Sequence, residues 1–226
     1  MKDNIQIAID GPAGSGKGTL ALILAKKLNA IHIYTGGMYR ALALYCLRNK
    51  LDISNEEDVV AALENIEIDL KTNSDSTTRI ILNNEDITED ITLIEVSNAV
   101  PVVSKYEKVR VLMVKKQRQI ADGKKSIMEG RDIATVVLPN ADLKIFLDAD
   151  VDIRAQRRFD QLKDKNPNIS IEDIKRDVTE RDRKDEQRSF SPLKPTEDSF
   201  IIDTTNDKVG DTVEKVMSEL KNRRLL

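Results

Sequence analysis

Apolar residues along the chain follow two rhythms. Short continuous runs at 5–9, 31–34, 126–128, 143–147 and 200–202 lack the alternation of a half-solvated strand and read as strands buried on both faces. Between several of them the period lengthens. Leu20, Ile23, Leu24 and Leu28 repeat at helical spacing, and Val213, Val216, Met217 and Leu220 fall at i, i+3, i+4 and i+7, so the last helix should close one face of the sheet. Segments 39–50 and 105–121 also read as helices, the second ending near Gly123. The alternation predicts an α/β fold in three layers, with a mostly parallel central sheet covered on both faces. Two segments depart from it. Residues 66–88 contain the alternating stretches Ile66-Glu67-Ile68-Asp69-Leu70 and Arg79-Ile80-Ile81-Leu82, joined by a polar run at 71–78, which predicts a small β insertion. Residues 154–188 are dense in charges of both signs. The chain shows no internal repeat and no low-complexity tract.

Chemistry enters at Gly11-Pro12-Ala13-Gly14-Ser15-Gly16-Lys17-Gly18-Thr19, which lies between the first predicted strand and the first predicted helix. That is the context in which GxxxxGK is a phosphate loop, and it predicts a P-loop NTPase fold. Glycines let backbone N–H groups close on phosphate oxygens, Lys17 supplies a point charge for the β and γ phosphates, and the helix N-terminus adds its partial positive charge. A triphosphate, ATP carried with Mg2+, is the expected guest. Gly18 stands where Ser or Thr usually reaches the magnesium, so Thr19 becomes the candidate metal contact. This Lys-Gly-Thr variant resembles nucleoside monophosphate kinases.

Length and charge narrow the classes. At 226 residues the chain fits a single domain with a sizeable core. Charged residues make up 33% of it, yet the formal net charge is only −3, so acids and bases are interleaved and a broad nucleic-acid-binding face is not expected. One cysteine, Cys46, excludes an intramolecular disulfide framework, and one histidine, His32, leaves no zinc cluster of the usual kind. His32 reads as a structural or surface strand residue. Neither a cleavable leader nor an 18-residue apolar run is found, so the expected compartment is the cytoplasm, with no membrane partner.

Phosphoryl transfer needs donor and acceptor in line with cations around the moving group. Seven arginines lie in the charged segment: Arg154, Arg157, Arg158, Arg176, Arg181, Arg183 and Arg188. Arg154 and Arg158, four apart, share a helix face and can aim two guanidinium forks one way; the competing reading is a solvated helix laced with ion pairs. Gly130-Arg131-Asp132 follows a predicted strand at the carboxyl edge, where open α/β sheets hold ligands. There Arg131 could fork a phosphate while Asp132 accepts from an amine or hydroxyl, against the alternative of a buried structural pair. Thr35-Gly36-Gly37, read as a glycine turn, precedes Tyr39-Arg40 and suggests a second phosphate site.

Taken together, Gly11 to Thr19, Thr35-Gly36-Gly37-Met38-Tyr39-Arg40-Ala41, Gly130-Arg131-Asp132-Ile133-Ala134-Thr135-Val136-Val137, Glu180-Arg181-Asp182 and Ile202-Asp203-Thr204-Thr205 resemble the bacterial cytidylate kinases across nearly the whole chain. The resemblance implies ATP-dependent phosphorylation of CMP and dCMP by a monomer. It divides the single domain 1–226 into a core (1–64, 100–153, 190–226), a nucleotide-binding insertion at about 65–99 and a short arginine-rich lid at about 154–189. It also implies roles: Thr35, Arg40 and Arg131 on the nucleotide phosphate, Ser97, Arg110 and Asp132 on the cytosine edge, and Arg181, Asp185 and Arg188 at the ribose and lid. Lys17 and Arg131 would be catalytic, with Arg158 as the lid arginine facing the transferred group and Arg154 or Arg157 as its alternates. A carboxylate, an arginine and a hydroxyl complement cytosine's donor and acceptors, whereas uracil would set a carbonyl against Asp132. Tyr34 departs from the acid the family commonly carries before Thr35, and Glu129 from the usual Asp.

Two rivals stand beside this. One is a kinase for UMP or another small phosphorylated acceptor. The other is a nucleotide-binding switch of the GTPase type, marked by DxxG and a base-reading NKxD, and the chain is read as carrying neither.

Overall fold

The computed structural model describes residues 4–73, 78–164 and 169–226. Residues 74–77 of the predicted polar run and 165–168 of the charged segment lie outside them. Five strands form one parallel sheet: β1 (Gln6–Asp10), β2 (Ile31–Tyr34), β6 (Ser126–Gly130), β7 (Leu143–Asp148) and β8 (Phe200–Asp203), in the order β2-β6-β1-β7-β8. These are the five predicted runs, some extended by a residue or two. In β1, Ile7 and Ile9 face a core shared with α1 (Lys17–Leu28) and α8 (Val209–Asn222), while Ala8 faces a second core with Ile33, Met128, Ile133 and Val137. Both faces of β1 are thus dry, which is why Ile7, Ala8 and Ile9 follow one another without a polar residue. Val213, Val216 and Leu220 bury the α8 stripe as expected.

The predicted insertion exists as an antiparallel sheet of β3 (Ile68–Thr72), β4 (Thr78–Leu82) and β5 (Glu85–Asp86). It packs with α2 (Thr35–Arg48), α3 (Glu56–Asn65), α4 (Ile94–Val103) and α5 (Glu107–Ala121) around the largest apolar cluster. Two local readings change. Thr35-Gly36-Gly37 is the first turn of α2 rather than a separate turn. Helix α4 runs through Pro101 and spans the expected boundary at 99/100; its buried face of Val96, Ala99, Val100 and Val103 outweighs the lost backbone bond. The charged segment folds as α6 (Val151–Leu162) and α7 (Ile171–Glu186), joined by a small cluster centred on Ala155, Ile174 and Val178.

Helix ends separate by task. Asn55, Asp150 and Ser170 cap α3, α6 and α7 by accepting from the N–H groups of Glu57, Asp152 and Asp173. Gly16 and Tyr34, which precede α1 and α2, provide no side-chain cap, so the donors there stay available where the loops at the carboxyl edge of the sheet converge.

Asp10 fixes that edge. Buried at the end of β1, it accepts from the N–H groups of Ile133 at 2.8 Å and Ala134 at 2.7 Å, tying the phosphate loop to a single π-type turn, Ile133–Val137. Burial pushes its carboxyl up to about 6 despite these two bonds. Between its ordinary range and that value the folded chain holds this proton more firmly than the unfolded one, so Asp10's contribution to stability is full below about pH 4 and declines as the pH rises through 6. The stability difference between wild type and Asp10→Asn, from thermal melts at pH 4 to 7, should therefore fall by up to about 3 kcal/mol across that window. A pH-independent difference would contradict the role of burial.

Candidate active site

The loop between β1 and α1 encloses one side of a cavity of about 1000 Å³. Gly14 has φ +79°, and a Cβ there would come within 2.8 Å of the Arg154 carbonyl oxygen; at Gly11 it would come within 2.0 Å of that of Leu147. No side chain fits at either place. Ala13, Gly14, Ser15, Gly16, Lys17, Gly18 and Thr19 line the cavity, and Gly11 and Pro12 support it from behind. Lys17 is folded over its own loop, donating to the Pro12 carbonyl at 2.7 Å and to Ser15 Oγ at 3.3 Å. Burial, reinforced by Arg131, lowers its pKa well below the usual lysine value. Thr19 is exposed on the cavity wall. Gly18 also has a local reason: a Cβ there would stand 3.1 Å from Glu129 Oε1, so the carboxylate takes the space a hydroxyl side chain would need.

Other cations face the same space. Arg40, Arg131, Arg158 and Arg181 line it. Burial and the nearby Arg40 lower the pKa of Arg158, and burial and Arg131 bring Arg181 down to about 10. Arg40 donates to the Ile91 carbonyl at 2.7 Å and to Ser97 Oγ at 2.9 Å. Arg131 Nε donates to Asp185 Oδ2 at 2.8 Å, and Arg188 pairs with the other oxygen of that carboxylate. Burial would raise the pKa of Asp185, but Arg131, Arg188 and Arg181 together hold it below its ordinary value. Thr35, buried, gives its hydroxyl hydrogen to the Glu129 carbonyl at 2.7 Å.

The charged helices divide their arginines differently from the expectation. Arg154 is not on the cavity wall; it is buried, donating to the carbonyls of Ala149 and Ala13 and pairing with Asp182. Arg157 lines the cavity but is bound to Thr204 through its hydroxyl at 3.1 Å and its carbonyl at 2.6 Å. Both brace the phosphate loop. Arg158 reaches the cavity with a single bond to Gln161, at 3.2 Å. Arg176 and Arg183 are the solvated ion-paired residues of the competing reading.

A smaller cavity of about 70 Å³ opens beside the first. Arg110 and Asp132 meet on its wall at 2.6 Å, both buried. Ser97, expected with them, is bonded to Arg40 instead and is absent from this wall. The hydroxyl that is present belongs to Ser104: Oγ is buried without a partner, while the Ser104 carbonyl accepts from Arg110 at 3.2 Å. Ser104 follows directly on α4, so only the course of that helix, with Pro101 inside it, distinguishes it from Ser97. Arg110 Nε is likewise buried and unpartnered. Among the described residues these two donors beside a carboxylate have no partner, and a donor-and-acceptor set of this kind has the chemistry to complement a polar heterocycle. His32, read as structural, is buried between Thr78 Oγ1 at 2.8 Å and Glu129 Oε1 at 3.1 Å and also touches the large cavity.

The switch motifs require a correction, since both strings do occur. NKxD at 49–52 begins at the C-cap of α2 and touches neither cavity; DxxG at 207–210 opens α8, where Asp207 is bound to Lys215 and Thr212. The first is remote from the cavities; in the second, Asp207, Lys208 and Val209 line the large cavity, but the Asp207 carboxylate is engaged by Lys215 and Thr212.

Comparisons with known proteins bear on fold and family. A structure of an uncharacterized protein from Eubacterium ventriosum aligns over 96% of this chain and 98% of its own, with a TM-score of 0.52 at 13% identity, a likeness of fold alone. Cytidylate kinase of Leuconostoc mesenteroides is 43% identical over 219 residues, covering 97% of each chain. That of Clostridioides difficile is 44% identical over 217 residues, covering 96% of this chain and 98% of its own. A family model described as cytidylate kinase matches residues 7–222, and with these relatives it shows that the chain belongs to the cytidylate kinase family.

Proposed function

We propose that the large cavity holds ATP with its phosphates in the 11–19 loop, and that the small cavity holds the base of CMP or dCMP. The family makes the chain a kinase, a phosphotransferase that phosphorylates CMP and dCMP with ATP. One observation carries the placement of the two nucleotides: Tyr34, Gly36, Glu129, Arg131 and Arg181 line both cavities, so the phosphate ends of two occupants would meet at a common seam. Transfer breaks the bond from the γ phosphorus to the bridging oxygen and forms one to an oxygen of the acceptor phosphate. The acceptor is already an anion, so no general base is required. Lys17 would leave its loop contacts for the phosphates, Arg40 and Arg131 would hold the acceptor with Thr35, and Arg158 and Arg181 would neutralise the moving group. Asp185 and Arg188 keep Arg131 in place.

Mg2+ fits the residues present. The Thr19 hydroxyl and the Glu129 carboxylate are the oxygens that would hold it or its water, in place of the hydroxyl Gly18 lacks. Bound there with the nucleotide, it supplies charge neutralisation at the β and γ phosphates. In the small cavity Asp132 Oδ2 is taken by Arg110, which leaves Oδ1 to accept from the cytosine amine, with Ser104 and Arg110 Nε as donors. The balanced charge supports small nucleotides rather than nucleic acid as partners, and a cytoplasmic monomer is the simplest setting. Among the described residues no helix is long and apolar enough to cross a membrane.

Release of ADP measured with each monophosphate in turn tests this reading. CMP and dCMP should turn over fastest; phosphoryl transfer to water alone would contradict it. Lys17→Met should lower kcat by about 10³-fold with an unchanged Tm, since its charge is needed at the transferred group; near-normal turnover would remove the phosphate-loop assignment. Asp132→Asn should narrow the preference for CMP over UMP by about 1–3 kcal/mol in kcat/KM, and an unchanged preference would place base recognition elsewhere.

A further inference from the structure

Tyr34 stands at the seam with its ring held by its neighbours. His32 lies parallel to it, ring centroids 6.5 Å apart and planes 14° from each other, and is itself pinned by Thr78 and Glu129. Gly36 and Gly37 also lie against the ring. A Cβ on Gly36 would come within 2.8 Å of the Tyr34 ring, and one on Gly37 within 2.7 Å of that ring and 2.8 Å of Ile80 Cδ1. Neither glycine has a positive φ, so backbone conformation does not demand them in the first turn of α2. Each weakens a helix by about 1 kcal/mol relative to alanine. The ring's position accounts for both.

A side chain fixed this firmly presents its hydroxyl to a defined place. Tyr34 lines both cavities, the larger of which it shares with Arg158 and Arg181. Among the described residues no hydrogen bond to the phenol oxygen is found. An O–H among guanidinium groups that await an anion completes a donor set for a phosphate group.

We propose that Tyr34 is a catalytic residue, its phenol donating a hydrogen bond to the phosphoryl group as it passes between the two nucleotides and keeping its own proton throughout. This rests on the placement of ATP and CMP given above. A donor that engages the group in transit acts on kcat and leaves ground-state binding of either nucleotide alone.

The test is Tyr34→Phe, which removes one oxygen and keeps the ring against His32 and the glycines. With wild type first confirmed to phosphorylate CMP, kcat should fall by about tenfold, the worth of a hydrogen bond to a charged group, with both KM values and Tm unchanged. The inhibitory complex of ADP, fluoroaluminate and CMP should weaken by a similar factor, while CMP alone binds as before. An unchanged kcat, or a rise confined to the KM for CMP, overturns the proposal. If Tyr34→Phe lowers Tm, Gly37→Ala gives a second reading. Alanine pushes the ring from its place, so it should lower kcat in wild type and add nothing in the Tyr34→Phe background; additive losses would contradict the proposal. A wild-type chain inactive on CMP would instead refute the placement of the nucleotides.

Discussion

Repulsion among cations gathered in one cavity is the constraint to which the rest of this structure answers. Lys17, Arg40, Arg131, Arg158 and Arg181 share one cavity, and burial together with neighbouring guanidinium groups works against the charge on Lys17, Arg158 and Arg181. A protein that gathered these side chains for stability alone would do better with apolar ones. Their cost would be recovered when anions enter, and in the proposed placement those anions are the phosphate tails of two nucleotides.

The fold meets that constraint by dividing its arginines. Arg154 and Arg157 spend their donors on carbonyls of the phosphate loop and on Thr204, holding the cradle open. Asp185 stands between Arg131 and Arg188 and fixes their direction without neutralising the cavity as a whole. Asp132 compensates Arg110 in the same way beside the small cavity. Arg158 and Arg181 are left with few contacts. Since the apolar cluster that joins α6 and α7, which carry them, is small, the side of the cavity they form is the one best able to adjust when phosphates arrive.

Much of this was legible in the chain because it is written in local periodicity. The five strands announce themselves as apolar runs, and the phosphate loop falls between a strand and a helix as its chemistry requires. The structure departs from local signals where tertiary packing overrides them. Gly36 and Gly37 look like a turn, yet they begin α2 because the Tyr34 ring occupies the space their side chains would need. The apolar pattern predicts no element at 94–103, yet α4 forms there and runs through Pro101 on the strength of its buried face. That continuation carries Ser104 rather than Ser97 to the small cavity, a choice no spacing rule reveals. Arg154 and Arg158 share a helix face in sequence, but one is buried against the loop and the other reaches the cavity, because Asp182 of α7 draws Arg154 inward.

The central claim is that two anionic tails meet within one cationic enclosure. It is tested most directly by titrating the protein with a single molecule that joins adenosine to cytidine through five phosphates. The account predicts one molecule bound per chain, more tightly than ATP or CMP alone, with both nucleotides displaced together. Binding that displaces ATP and leaves the affinity for CMP untouched would contradict it.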